Sequence, residues 1–86
     1  REEPFRVVVD FIPKAAMYIS ERIWSRDQKI TRHKDGSITL TFTATSRPEV
    51  IAWILSFGGE ATLCEPKEIQ ILISARAKRT HERHRL

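Results

Sequence analysis

The chain has 86 residues, enough for one domain with a single modest core. Hydrophobic residues make up 41% of it and charged residues 30%, a composition typical of a folded globular domain and not of a disordered segment. No apolar run approaches the length of a membrane span, no signal peptide is visible, and one cysteine excludes an internal disulfide. We therefore expect one domain over 1–86, cytoplasmic and without a membrane partner, excised from a longer protein.

The net charge of +4 is concentrated at the C-terminal end of the chain. Residues 67–86 hold six Lys/Arg and two Glu, so they account for the whole excess, whereas residues 1–66 are balanced. A basic segment can attract phosphates, and cations near a helix end also interact favourably with its dipole. The sequence leaves both interpretations open for the basic helix end and tail, 76–86.

The chain begins with a predicted strand and helix. Residues 5–11 alternate between apolar and polar, as a half-buried strand does. Pro13 suits the first turn of a helix that we expect to run to about Trp24. Its predicted apolar stripe consists of Ala16, Ile19 and Ile23.

A hairpin follows. Residues 28–33 and 38–44 predict two strands, and the second alternates Ile, Leu, Phe and Ala with threonines. Asp35-Gly36 lies between them, and this dipeptide favours the tight turn that matches the twist of paired strands.

Two helices and a strand are predicted in the second half. Ser46 suits the N-cap of a helix from about Arg47, which Gly58 and Gly59 should end. A strand over 61–64 leads to Pro66, where a third helix should start and run to about Thr80. Its predicted apolar side carries Ile69, Leu72 and Ile73, and the tail from His81 should fray.

The element order predicts an α+β, ferredoxin-like β-α-β-β-α-β sandwich with a four-stranded antiparallel sheet and an additional C-terminal helix. Two helices would cover one sheet face, with the core over about 5–75. The other face would be polar and open to water, a ligand or a partner. It should present Arg6, Val8, Asp10, Lys29, Thr31, His33, Thr39, Thr41, Thr43, Thr62 and Cys64.

The sequence contains no recognisable catalytic or metal-binding motif. Cys64 has no nearby His in the sequence, and a small, semi-buried residue is the simplest interpretation of it. His81 and His84 lie in the basic tail without a Cys or carboxylate pair at ligand spacing. We expect no enzyme, no metal and no cofactor. Threonines on the open face also argue against single-strand binding by base stacking.

Two sets of residues are candidate interaction sites. Arg22, Trp24, Arg26 and Lys29 cluster around the predicted end of the first helix, a composition common in contact hot spots, and they form a candidate effector or inter-domain contact. In the alternative interpretation Trp24 caps the core and the cations are solvated. Trp53 and Phe57 are one helical turn apart. They form either an exposed association patch or a lid over the core.

Several segments in order resemble one known family. They are RVVVDF, a helix ending ERIW, Gln28-Lys29-Ile30, the Asp35-Gly36 hairpin, ITLTF and WILSFGGEATLCEPKEI. Together they are similar to the C-terminal extension (WCX) domain of WYL-domain transcriptional regulators. The resemblance covers about residues 5–75, and the tail RAKRTHERHRL fits no part of it.

The resemblance implies a ferredoxin-like, non-catalytic module that helps a bacterial regulator to dimerise and lies against an adjacent WYL domain. DNA would be bound by an upstream winged-helix domain, and an effector would be sensed by the WYL domain and its surroundings. Arg22 and Trp24 in ERIW are the residues that such a contact would use.

Two alternatives stay open. One is an ACT-like small-molecule-binding domain, which has the same element order. The other is a single-stranded nucleic-acid effector site formed by Arg22, Arg26, Lys29 and the basic tail.

Overall fold

A computed structural model describes residues 3–86 of the chain. Its elements are β1 (Phe5–Phe11), α1 (Pro13–Ser20), β2 (Lys29–Arg32), β3 (Ile38–Ala44), α2 (Arg47–Leu55), a 3-10 turn (Gly58–Glu60), β4 (Ala61–Glu65) and α3 (Lys67–Arg83). The predicted α+β order with an additional C-terminal helix is therefore confirmed.

The four strands form one antiparallel sheet in the order β2-β3-β1-β4. β1 and β3 lie at its centre and pair from Phe5↔Ala44 to Phe11↔Ile38. β2 and β4 are the two edge strands. The register of β1 against β4 shifts between Val8 and Val9, so that Cys64 is skipped in the ladder. An irregularity of this kind bends an edge strand and increases its local twist.

One apolar layer lies between the sheet and the helices. Val7, Leu40 and Leu63, from three different strands, are at most 3% exposed and belong to the same core cluster, as the alternation predicted. Burial of each such side chain stabilises the fold by about 1.5–3 kcal/mol. The complete cluster is Val7, Val9, Phe11, Ala15, Ala16, Ile19, Ile38, Leu40, Phe42, Val50, Ile51, Ile54, Leu63 and Ile69.

The first helix is shorter than predicted. α1 ends at Ser20 and not at Trp24, and the side chains of two following residues donate to its last carbonyl groups. Arg22 Nη1 donates to the Tyr18 carbonyl at 3.0 Å, and Trp24 Nε1 donates to the Ile19 carbonyl at 3.0 Å. The chain therefore leaves the helix before Ile23. The predicted place of Ile23 on the apolar stripe is wrong, since its side chain is 86% exposed.

The predicted turns and cap are present. Gly36 has φ +91° in the hairpin, and Asp35 Oδ1 accepts a hydrogen bond of 2.9 Å from the Ser37 backbone N–H. Gly58, with φ +59°, reverses the chain after α2. Ser46 Oγ accepts from the Glu49 N–H at 3.3 Å and caps α2 as predicted.

The last helix is longer and more exposed than predicted. α3 continues to Arg83, so that the segment after Thr80 is helical there and not frayed. Ile69 and Ile73, at i and i+4, face the core, but Leu72 is 48% exposed. At 100° per residue around the helix, Leu72 and Ile73 lie on opposite sides of Ile69. Leu72 therefore points away from the core, and its predicted place on the apolar side is wrong. No helix among residues 3–86 is long and apolar enough to cross a bilayer.

Candidate functional site

The loop between α1 and β2 is organised by Gln28. Its Oε1 accepts from the Trp24 backbone N–H at 2.6 Å and from the Ser25 N–H at 3.3 Å, and its Nε2 donates to the Arg22 carbonyl at 3.2 Å. One side chain thus satisfies three backbone groups of the loop. The strand that was predicted to begin at Gln28 begins at Lys29, because Gln28 belongs to the loop.

The loop places Trp24 over the core, among five other aromatic rings. Its ring centroid is 5.2 Å from that of Trp53 and 5.9 Å from that of Tyr18. Trp53 also meets Phe11 and Phe42 edge to face, at 6.0 and 5.7 Å. We call the set the aromatic cluster, and it consists of Phe11, Tyr18, Trp24, Phe42, Trp53 and Phe57.

Trp53 and Phe57 lie against the core. Both side chains are half-buried and pack on the core cluster, and their rings meet at a centroid distance of 5.3 Å. Of the two arrangements that the sequence left open, this geometry corresponds to the lid. Edge-to-face pairs of this kind contribute about 0.5–1.5 kcal/mol each beyond the area they bury.

The four residues proposed as an effector or inter-domain contact do not form one cluster. The guanidinium carbon of Arg22 lies 3.6 Å from the centroid of the Tyr18 ring, so Arg22 joins the outer edge of the aromatic cluster near Trp24. Arg26 is exposed in the loop. Lys29 pairs with Thr41 in the sheet and lies on the open face, away from the helices.

Asp27 links the loop to β3. The Thr43 side chain and backbone N–H and the Ser25 hydroxyl hydrogen-bond to it, and they lower the pKa of Asp27 from 3.8 to about 2. The N–H of Thr43 lies 3.1 Å from Asp27 Oδ1, beyond the last β2–β3 pair, Lys29↔Thr41. The carboxylate therefore serves as a hydrogen-bond acceptor where β2 no longer provides one.

A groove of about 360 Å³ lies between this loop and α2. The indoles of Trp24 and Trp53 form its apolar wall, and among the lining residues from 3–86 only Glu49 supplies a carboxylate. The remaining lining residues are Ser25, Phe42, Thr43, Ala44, Thr45, Ser46 and Val50. Its size and mixed lining suit a small molecule with an apolar body and a polar group.

The residues predicted for the open sheet face lie on the side of the sheet that the helices do not cover. Arg6, Lys29, Thr31 and His33 are exposed, and Thr41 is half-buried between two neighbouring strands. A chain of hydrogen bonds joins β1, β3 and the residue that follows β2: Thr39 Oγ1 donates to Asp10 Oδ1 at 2.7 Å and lies 2.7 Å from His33 Nε2. Because the Thr39 hydroxyl gives its proton to Asp10, His33 Nε2 is the donor to Thr39.

Cys64 is not a candidate nucleophile. It is exposed and not semi-buried as predicted, but partial desolvation and then the neighbouring Asp10 carboxylate raise the pKa of its thiol above the ordinary value. A thiol with a raised pKa is a poor nucleophile at neutral pH. Residues 3–86 contain no group of three or more His, Cys, Asp or Glu side chains that could hold a metal ion.

The basic residues proposed as one nucleic-acid site are divided by the fold. Arg22, Arg26 and Lys29 lie beside β2, at one edge of the sheet. α3, which carries the basic segment, packs against α2 and β4, at the other edge. A nucleic acid that contacts both groups of one chain would therefore have to span the width of the sheet.

The residues that shape the loop are not evident from the hydrophobic pattern of the sequence. Gln28 and Asp27 gave no signal in the hydrophobic pattern, because their partners are backbone groups and a strand residue that is distant in sequence. The Ser25-x-Asp27 spacing, which allows the 2.8 Å bond between Ser25 Oγ and Asp27 Oδ1, was the one local signal available.

A comparison with known protein families gives a match over most of the chain. A family model described as the WCX domain matches residues 3–80 of the 86-residue chain. No curated protein matches the chain in sequence. The family match covers the sheet, the aromatic cluster and most of α3.

Proposed function

Because this chain belongs to the WCX domain family, we propose that it is the C-terminal regulatory and dimerisation module of a WYL-family DNA-binding transcriptional regulator. In this proposal it catalyses no reaction. An upstream winged-helix domain binds DNA, and the adjacent WYL domain senses the effector. The role of this domain is to hold two regulator subunits together and to transmit the effector response between them.

One observation carries the proposal: large apolar side chains are exposed on and just after α1. Met17 is 72% exposed and Ile23 is 86% exposed, and Arg22, next to Ile23 in the sequence, lies over the ring of Tyr18. We call Met17, Tyr18, Arg22 and Ile23 the α1 surface. Apolar side chains beside an arginine and an aromatic ring are the composition of contact hot spots.

The occupant we propose for the α1 surface is the same surface of a second copy. A two-fold axis lets one patch contact itself, so that Ile23 of each copy meets apolar side chains of the other. The stack of Arg22 on Tyr18 keeps the guanidinium beside the apolar residues without an ion pair. This lets a charged residue lie at the rim of an apolar contact.

The test is sedimentation of the 86-residue chain at about 50 µM, where a dimer with a micromolar Kd is almost fully formed. We expect the wild-type chain to sediment as a dimer and Met17→Arg/Ile23→Arg to sediment as a monomer. Ile71→Arg is the matched control, because Ile71 is also exposed, at 59%, but lies on α3. The control should remain dimeric.

A monomeric wild-type chain would remove dimerisation from the proposal. If Ile71→Arg were monomeric and Met17→Arg/Ile23→Arg remained dimeric, the interface would lie on α3 and not on the α1 surface.

The groove between Trp24 and Trp53 favours a second candidate function, an ACT-like small-molecule site. A thermal-shift screen against amino acids and nucleotides tests it, with Glu49→Gln as the variant that removes the groove's carboxylate. A ligand that raises the Tm of the wild-type chain and not of Glu49→Gln would support this function. A uniformly flat screen would reject it for those ligands.

A further inference from the structure

Three arginines form a line along the exposed half of α3. Arg76, Arg79 and Arg83 are separated by three and four residues, which places them within a 60° sector of the helix. At 1.5 Å of rise per residue they span about 10 Å. All three are exposed and border a shallow groove of about 470 Å³, together with Thr80, Glu82 and His84. We call the three the arginine stripe.

The arginine stripe is not explained by the stability of the helix. No carboxylate among residues 3–86 forms an ion pair with Arg76, Arg79 or Arg83. The ion pairs Lys14–Glu60 and Arg47–Glu68 lie elsewhere in the domain. Like charges at these spacings destabilise a helix by about 0.2–0.5 kcal/mol per pair. The helix dipole favours cations in the last turn, which accounts for Arg83 but not for Arg76 and Arg79.

We propose that the arginine stripe binds the phosphate backbone of double-stranded DNA without reading its sequence. One strand of a duplex carries a phosphate about every 3.4 Å along the helix axis, so three long arginine side chains within about 10 Å can each reach a phosphate. Guanidinium groups bind phosphate oxygens with two parallel hydrogen bonds. The choice of DNA depends on the proposed function, in which the regulator already holds duplex DNA through another domain.

The composition of α3 favours duplex DNA over other polyanions. Single-strand binders stack bases on aromatic side chains, and α3 contains no Phe, Tyr or Trp. A helix that binds a membrane surface needs a continuous apolar face. The exposed Ile71 and Ala75 are instead followed on their side of α3 by Lys78 and Glu82.

The arginine stripe is separate from the α1 surface. It lies beyond β4, while the α1 surface and the loop that follows it lead into β2, at the other edge of the sheet. The family match ends at residue 80, inside the stripe, whereas the helix continues to Arg83. Arg76 and Arg79 lie inside the matched segment, and Arg83 lies beyond it.

The experiment measures the binding of the chain to a labelled mixed-sequence DNA duplex of about 20 base pairs, by fluorescence anisotropy over a series of salt concentrations. For three phosphates neutralised per chain we expect log K to fall against log[salt] with a slope of about −3. Arg76→Gln/Arg79→Gln/Arg83→Gln should weaken binding by about tenfold or more at low salt and remove most of this slope. Glutamine is a good helix former, so circular dichroism should show α3 unchanged.

The matched control is Arg26→Gln/Lys29→Gln/Lys34→Gln, which removes the same charge from exposed residues around β2, at the other edge of the sheet, and leaves the α1 surface intact. It should bind the duplex within about twofold of the wild-type chain. Equal weakening by both triple variants would overturn the proposal, because only net charge would then matter. Tighter binding to the separated single strand, or binding only to vesicles that contain phosphatidylserine, would also overturn it. Sedimentation decides the dimer independently, so the two proposals can fail separately.

Discussion

The indole of Trp24 lies against the indole of Trp53, with 5.2 Å between the ring centroids and 52° between the ring planes. The contact joins the loop after α1 to α2, two segments far apart in sequence. It also places a ring over the core where the shortened helix would leave the core open.

This contact predicts a measurable coupling between the two residues. Trp24→Leu should lower the free energy of unfolding by about 2–3 kcal/mol, because it removes ring contacts and the donor to the Ile19 carbonyl. In a double-mutant cycle with Trp53→Leu, measured by urea denaturation, we expect a coupling of about 0.5–1.5 kcal/mol. Trp24→Leu and Ile69→Val lie on opposite sides of the domain, so their effects on the free energy of unfolding should be additive. Equal coupling energies in the two cycles would contradict the prediction.

The two adjacent glycines after α2 should respond differently to alanine. Gly58→Ala should destabilise the fold by about 1–2 kcal/mol, because Gly58 has φ +59° and a side chain is strained there although nothing lies within 4 Å. Gly59→Ala also meets nothing within 4 Å and needs no positive φ. Gly59→Ala should therefore be neutral or stabilising by about 0.4–1 kcal/mol. If the two substitutions changed the free energy of unfolding equally in urea denaturation, the positive φ of Gly58 would not be the reason for its effect.

The low pKa of Asp27 predicts a dependence of stability on pH. The pKa is about 2 in the folded chain against 3.8 for the free group, so the carboxylate stabilises the fold above about pH 4. That contribution shrinks as the pH falls from 4 to 2 and is gone below about pH 2, where the group is protonated in the folded chain as well as in the unfolded one. The gap in free energy of unfolding between the wild-type chain and Asp27→Asn should therefore shrink over this range.

Thr43→Val provides the internal check, because it removes the side-chain donor that contributes most to the shift and leaves the backbone donor in place. It should show part of the same pH dependence. Parallel stability curves for the wild-type chain and Asp27→Asn from pH 4 to pH 2 would refute this account of Asp27.

The raised pKa of Cys64 predicts slow alkylation. At pH 8 the thiol should react with iodoacetamide more slowly than a free thiol, because less of it is thiolate. Asp10→Asn should accelerate the reaction, since the Asp10 carboxylate raises the pKa of Cys64. Glu65→Gln should have a smaller effect, because Glu65 is the weakest of the causes. Mass spectrometry of the reaction over time measures all three rates.

The sequence predicts the sheet well, because alternation is a property of each strand by itself. Val7, Leu40 and Leu63 are buried together as their periodicity indicates. It predicts α1 poorly, because the helix ends where Arg22 and Trp24 reach back to its carbonyl groups. The candidate contact of Arg22, Trp24, Arg26 and Lys29 is divided for the same reason: where a loop folds depends on partners such as Gln28 that no periodicity reveals.

The skipped residue in the pairing of β1 with β4 limits how this domain can assemble. Strands add to a sheet most readily along a straight, regular margin with free hydrogen-bonding groups. At one edge, the pairing of β4 is irregular at Cys64. At the other edge, β2 has only four residues and carries Lys29 and Arg32. Copies of this domain should therefore associate through helices or faces, and a continuous sheet running through several copies, the route to fibrils, is disfavoured.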